Sequence, residues 1–122
     1  MPIDDSQWFE ELLAAPNAKE AREWLNGEPD RLRTLGELET REESLALVEE
    51  AYSAGASRVT AVEIDDYPDM NNAQNTGRLV ITLPSNPERR SAIFRWAGEM
   101  AELQGHDPEQ DDGQKYLYVG LD

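Results

Sequence analysis

The stretch TREESLALVEEAYSAGASRVTAVEI, residues 40–64, decides the fold. Thr40 and Glu43 have the spacing of a capping box, in which the side chain of each residue bonds the backbone N–H of the other. Apolar residues then recur at helical spacing, and Gly55 is a typical helix stop. Residues 59–64 are rich in β-branched side chains and predict a strand. A capped helix followed at once by a strand indicates an α+β domain.

The second half of the chain repeats these signals. After a long polar loop at residues 65–77, residues 78–83 place three apolar side chains on one face of a strand. Either Ser85 with Glu88 or Asn86 with Pro87 then begins a helix that runs to about Gln104. Residues 116–121 predict a terminal strand. Apolar residues cover an arc of about 180° on this helix, which is broader than a stripe that packs only on a sheet. They are Ile93, Phe94, Trp96, Ala97, Met100, Ala101 and Leu103. We therefore expect the flank of this helix to contact something besides the sheet.

Residues 32–38, which alternate around Leu32 and Thr34, predict a further strand ahead of the capped helix. The elements of residues 31–122 then follow in the order strand, helix, strand, strand, helix, strand. This order resembles the βαββαβ ferredoxin-like superfold, in which two helices cover one face of a four-stranded antiparallel sheet. The resemblance implies one ferredoxin-like α+β domain over residues 31–122. It implies no function, because a superfold hosts many unrelated activities.

Residues 1–30 predict an N-terminal helical hairpin extension. Its first helix carries an apolar stripe around Trp8 and ends before Pro16, and its second helix begins near Asn17 and ends at Gly27. Bulky side chains occupy both faces of the last predicted strand, whereas the two later helices cover one face only. We expect the hairpin to cover the second face, with a second subunit as the alternative, so that the chain is a monomer or a homodimer.

Charge restricts the partners of this chain. It has 26 acidic residues against 11 Lys and Arg, a formal net charge of −15 and a pI near 4.3. Such a surface repels phosphate backbones and anionic lipid, so the sequence predicts neither a nucleic-acid nor a membrane partner. It favours simple solubility or the acid-rich proteome of a salt-adapted host, and a surface that docks a basic protein partner or binds cations is the alternative. An N-terminus without a basic leader or an apolar core predicts a cytoplasmic protein.

Residue types give little support for metal or cofactor chemistry. The chain has no cysteine and one histidine, His106, and it lacks a glycine-rich phosphate loop, so no cofactor is predicted. Oxygen ligands alternate in the acidic loop that follows the histidine, and the candidate metal ligands are Asp107, Glu109, Asp111 and Asp112. This loop departs from the EF-hand template because Gly113 falls one position late and a strand comes next. A solvated acidic loop is the favoured interpretation, and a cation site is the alternative.

These observations favour a non-catalytic protein-interaction or regulatory module over an enzyme. No serine lies in a motif that resembles a nucleophile elbow. The alternative is a small-molecule-binding domain or a small enzyme with a cleft on the sheet face. Carboxylates and the tyrosines Tyr67, Tyr116 and Tyr118 line that predicted cleft, and the same tyrosines are the predicted ligand or partner surface. An apolar pocket with convergent carboxylates favours this alternative, and a flat acidic surface favours the module.

Overall fold

The computed structural model of the chain describes residues 6–121, which have a mixed α+β fold. The helices are α1 (Ser6–Ala14), α2 (Ala21–Asn26), α3 (Arg41–Ala54) and α4 (Pro87–Leu103), with a 3₁₀ turn at Pro68–Met70. The strands are β1 (Lys19–Glu20), β2 (Arg33–Leu35), β3 (Arg58–Ala61), β4 (Asp65–Tyr67), β5 (Ala73–Thr76), β6 (Arg78–Thr82) and β7 (Tyr116–Gly120). None of these helices is both long and apolar enough to cross a membrane. Residues 1–5 and 122, which belong to the two predicted domains, lie outside the described range.

The strands form two sheets. The main sheet has the order β1-β3-β6-β7 and is antiparallel throughout. The second sheet has the order β2-β5-β4, with β2 parallel and β4 antiparallel to β5. The main core lies between one face of the main sheet and the helices α2, α3 and α4. Its fully buried side chains include Leu25, Val48, Leu79, Ile81, Ile93 and Leu117.

Capping residues determine where α3 and α4 begin and end. The Thr40 hydroxyl accepts the N–H of Glu43 at 3.1 Å, and the Glu43 carboxylate accepts the N–H of Thr40 at 3.2 Å, so the predicted capping box is confirmed. Gly55 ends α3 with a φ of 121°, and a Cβ atom there would lie 2.7 Å from the Cβ of Arg89. The Asn86 side chain caps α4 by accepting the N–H of Arg89 at 3.0 Å.

The predicted leading strand at residues 32–38 does not join the main sheet. Its ordered part, β2, instead pairs in parallel with β5, where Thr34 lies opposite Asn75. On the other edge of β2, the N–H of Leu35 donates to the Ser44 hydroxyl of α3 at 3.0 Å. The main sheet therefore receives its fourth strand from β1, and the ferredoxin-like strand order is not confirmed.

Two strands of the second sheet, β4 and β5, lie within residues 65–77, for which the sequence predicts a long polar loop. Its side chains are held by polar contacts, since Asn75 Nδ2 donates to the Thr34 hydroxyl and to the Gly36 carbonyl, each at 3.0 Å. Strand β4 is exposed along its whole length. Strands β4 and β5 lack the alternation of apolar and polar residues that marks a half-buried strand, which explains why the sequence predicts a loop there.

The N-terminal helical hairpin is not confirmed either. Lys19 and Glu20 form β1 at the edge of β3, so a strand of the main sheet separates α1 from α2. Glu20 rather than Asn17 caps α2, because its carboxylate accepts the N–H of Glu23 at 2.6 Å. Helix α2 then packs into the main core through Trp24, on the face of the sheet opposite to α1.

Helix α1 covers the second face of the main sheet without α2. Phe9 is buried there against Val62, Val80 and Tyr116. Of the two helices that were predicted to cover this face, only α1 lies there, and α2 belongs to the main core.

Candidate functional site

The three predicted surface tyrosines lie in two different places. Tyr116 and Tyr118 of β7 point toward α1, with ring centroids 5.4 Å from Phe9 and 5.8 Å from Trp8, respectively. Tyr116 is buried by this contact. Tyr67 lies on β4, the outer strand of the second sheet, and is 41% exposed. The structure therefore brings two of the tyrosines together beneath a helix and leaves the third on the other sheet.

The later part of the acidic loop makes its polar contacts within the protein, through the Asp111 carboxylate and the Asp112 backbone. Asp111 accepts from Arg90 Nη2 at 2.6 Å and Nε at 3.2 Å, and from the N–H of Gly113 at 3.0 Å. The bond to Arg90, with that to Gly113, lowers the pKa of the Asp111 carboxyl. The N–H of Asp112 donates to the side chain of Gln114 at 2.9 Å. Among residues 6–121, no group of three or more His, Asp or Glu is arranged to hold a metal ion.

Asp107 and Glu109, earlier in that loop, are among the residues around a cavity of about 300 Å³ between α4 and β7, called here the α4–β7 cavity. Its apolar lining consists of Phe94, Ala97, Met100, Ala101, Leu117 and Val119. Its polar lining consists of Gln104, His106, Asp107, Glu109 and Tyr118, together with the backbone at Gly120. Three residues identified from the sequence, Asp107, Glu109 and Tyr118, therefore meet in one place.

A helix C-terminal motif holds the loop over this cavity. Gly105 has a φ of 79°, and the N–H of His106 donates back to the Ala101 carbonyl at 2.8 Å. The positive φ and this hydrogen bond reverse the chain at the end of α4, as in a Schellman motif. Pro108 then packs against Gly98 so closely that a Cβ on the glycine would lie 3.1 Å from the Pro108 Cβ. Contacts within the protein thus hold the loop against α4.

A second concave surface, called here the apolar groove, lies between α3 and α4 and has a volume of about 360 Å³. Its apolar lining residues are Leu35, Leu38, Leu47, Met100, Leu103 and Leu121. Its polar lining residues are Glu37, Glu50 and Gln104. Leu103 is 88% exposed beside it, which makes it the most exposed large apolar side chain of the described residues.

The rim of the apolar groove is acidic. Glu37 lies on the β2–α3 connection and is exposed, and Glu50 lies on the exposed side of α3. The Glu50 carboxylate accepts the indole N–H of Trp96 at 3.2 Å, which positions it beside α4. The described residues that line the groove include no Lys or Arg. The site therefore combines an apolar floor with negative charge at its edge.

Sequence reasoning did not identify the apolar groove as a site. The signal that it offers is the broad apolar arc of α4, because Ile93 is buried in the main core while Met100 and Leu103 lie along the groove. The other wall, Leu38 and Leu47, comes from elements distant in the sequence, and no spacing rule connects them with α4.

A third cleft, between the two sheets, contains a network that is satisfied internally. The Gln74 side-chain oxygen accepts from Trp24 Nε1 at 3.1 Å and from Arg33 Nε at 2.8 Å, and its Nε2 donates to Asp66 at 2.6 Å. Arg33 also donates to the Trp24 carbonyl at 2.7 Å, and its burial lowers the pKa of its guanidinium. These groups join the second sheet to α2, and we assign them a structural role.

Comparison with models of protein families, with curated protein sequences and with solved structures found no match to this chain.

Proposed function

We propose that this chain is a non-catalytic, cytoplasmic protein-interaction module whose apolar groove binds a basic segment of another protein. The observation that carries the proposal is the exposure of Leu103, 88%, at the edge of a groove with an apolar floor. Single exposed apolar residues are common on protein surfaces, but an exposed leucine that continues a concave apolar surface is typical of a recognition site.

The charge of the rim favours a basic partner over a second copy of this chain. Glu37 and Glu50 border the groove, and each copy carries a formal net charge of −15. Two such surfaces repel each other, whereas a segment with Lys or Arg beside an apolar side chain complements both the floor and the rim. The dimensions of the groove suit one or two large apolar anchors, as in recognition of an amphipathic helix by a groove between helices.

The first prediction concerns Leu103. The probe is an amphipathic helical peptide made of Lys and Leu, titrated into ¹⁵N-labelled protein in about 0.15 M NaCl so that long-range attraction is screened. We expect chemical-shift changes centred on Leu47, Met100 and Leu103. Leu103→Ser should weaken binding about tenfold or more, because burying a leucine side chain contributes about 1.5–3 kcal/mol and about 1.4 kcal/mol corresponds to a factor of ten.

Two controls separate this site from general attraction to an acidic protein. Leu32→Ser removes a half-exposed leucine that does not line the groove and should leave the affinity unchanged. A peptide with Glu in place of Lys should bind at least tenfold more weakly, and the double variant Glu37→Gln, Glu50→Gln should reduce that preference. The proposal is wrong if Leu103→Ser binds like the wild type or if the shift changes lie on another surface.

A further inference from the structure

The carboxylate of Glu50, on the rim of the apolar groove, is held in place by a hydrogen bond from the facing helix. Its Oε1 accepts the indole N–H of Trp96 at 3.2 Å, so that this bond joins α3 to α4 beside the groove. The Trp96 side chain is partly buried and packs against the main core, which fixes the position of the donor. The core of the protein therefore determines where this exposed carboxylate lies.

The acidic residues closest to Glu50 are placed differently. Glu49, its neighbour on α3, is engaged by Arg22, whose Nε and Nη2 donate to its two oxygens at 2.6 and 2.9 Å. Glu37 also lines the groove, but no hydrogen bond or ion pair within residues 6–121 holds its carboxylate. The second oxygen of Glu50, Oε2, has no partner in the described part of the chain. Glu50 thus combines a held position with a free acceptor.

The spacing along α4 sets the distance between this carboxylate and the exposed leucine of the groove. Trp96 and Leu103 are seven residues apart on α4, which corresponds to two turns and about 10 Å along the helix axis. A partner that places a cation at Glu50 and an apolar side chain over Leu103 must hold these two groups about 10 Å apart. In a partner helix that lies along the groove, residues i and i+7 have this spacing.

Given the proposed function, on which this inference rests, we propose that Trp96 is a positioning residue for Glu50 and that the pair selects the register of the partner helix. The selected helix carries a lysine or arginine seven residues from its apolar anchor. Ionised carboxylates only accept hydrogen bonds and these cations only donate them, so the free oxygen of Glu50 matches such a side chain. At about half that spacing the cation would lie over Met100, where it would lose water without gaining an acceptor.

The second prediction compares three helical peptides of Ala and Gln that carry two leucines one turn apart. In the first peptide a lysine lies seven residues from the nearer leucine, and in the second it lies four residues away. The third has glutamine in place of the lysine of the first. Each is titrated into ¹⁵N-labelled protein in about 0.15 M NaCl. The first peptide should bind about threefold more tightly than the other two, which is the effect of one exposed ion pair.

Matched variants assign this preference to the two residues. Trp96→Phe keeps an aromatic ring but removes the indole N–H, and Glu50→Gln removes the charge. Each should abolish the preference for the first peptide and leave the affinity for the glutamine peptide unchanged. The double variant should lose no more than either single variant, because the two residues act as one unit. Glu99→Gln, on the exposed side of α4 and outside the groove lining, removes the same charge and should keep the preference.

The indole N–H resonance of Trp96 gives a direct readout in the wild-type protein. Its absence from the spectrum of Trp96→Phe identifies it. The first peptide should shift this resonance, and the glutamine peptide should shift it much less, because only the lysine reaches the carboxylate that accepts this N–H. A role of Trp96 in packing alone predicts the same shift with both peptides.

Leu103→Ser separates the failure of this inference from the failure of the proposed function. If the variant binds all three peptides like the wild type, the groove is not the site and both proposals are wrong. If it weakens all three, the groove is the site. The register inference alone is then overturned when the first two peptides bind equally to the wild type, or when Trp96→Phe keeps the wild-type preference.

Discussion

The hydroxyl group of Tyr52 links three elements of the main sheet and its helices. It donates to the Glu20 carboxylate of β1 and accepts the N–H of Val59 in β3 at 3.0 Å. The guanidinium of Arg22 lies over the Tyr52 ring, 4.2 Å from its centroid. Burial, together with the bond to Glu20, raises the pKa of Tyr52 above its ordinary value of about 10.

The third prediction is that Tyr52→Phe lowers the free energy of unfolding at pH 7 by about 1–2 kcal/mol, because the buried N–H of Val59 loses its acceptor. The pH dependence should change as well. Since the folded pKa is raised, the neutral phenol stabilises the protein fully below about pH 10, and this contribution is lost as the pH rises through the folded pKa. The variant should therefore lose less stability than the wild type above about pH 10. Urea unfolding at a series of pH values measures both effects.

Tyr67→Phe is the matched control, because Tyr67 is exposed on the second sheet. It should keep the wild-type stability at pH 7. An alkaline loss of stability that is identical in Tyr52→Phe and the wild type contradicts the assignment of the raised pKa.

Among the elements, α1 has the clearest separate role, since it alone covers the second face of the main sheet in the described residues. Phe9 supplies its buried contact with Val62, Val80 and Tyr116. The fourth prediction is that Phe9→Ala destabilises the protein by about 3 kcal/mol, as expected for removing a buried phenylalanine. Exposed apolar surface should then bind a fluorescent hydrophobic dye. Glu10→Ala, on the exposed side of α1, should change neither unfolding in urea nor dye binding.

A second subunit is the competing cover for this face. If Phe9→Ala keeps both its stability and its dye fluorescence at wild-type values, α1 does not shield the sheet in solution. A concentration-dependent mass in sedimentation experiments would then support the homodimer.

Local signals predicted the elements that are held by local interactions. The Thr40 box, the Asn86 cap and the apolar alternation of residues 78–82 are all present in the structure. The second sheet could not be predicted, because its cohesion depends on pairs such as Asn75 with Thr34, which are 41 residues apart. Strand β1 could not be predicted for the same reason, since Glu20 pairs with β3 and accepts the Tyr52 hydroxyl across 32 residues of sequence.

The candidate sites were predictable to a similar extent. Asp107, Glu109 and Tyr118 stand out by residue type, and the structure brings them to one cavity. The partner of a given carboxylate is a property of the tertiary structure, and Asp111, from the same loop, bonds Arg90. The apolar groove was detectable only as an excess of apolar residues on α4.

For the whole molecule, the C-terminal half of α4 is the region where apolar surface and acidic charge converge. Met100 and Gln104 lie between the apolar groove and the α4–β7 cavity. Each of the two sites has two carboxylates among its lining residues. The proposal for the apolar groove depends on this excess of negative charge, which attracts cationic groups.

The fifth prediction concerns the cost of that charge to the folded state. A formal net charge of −15 on 122 residues repels itself, and at an ionic strength of about 0.1 M charges more than about 10 Å apart are largely screened. We expect NaCl to raise the melting temperature up to this range. Calcium and magnesium chlorides should do so equally at matched ionic strength, because the described residues hold no cluster of metal ligands.

A specific site would add stability by mass action for the ion that it prefers. A larger rise with millimolar calcium than with magnesium, abolished in the Asp107→Asn, Glu109→Gln variant and kept in the Asp65→Asn, Asp69→Asn control, would show that the acidic loop binds the metal.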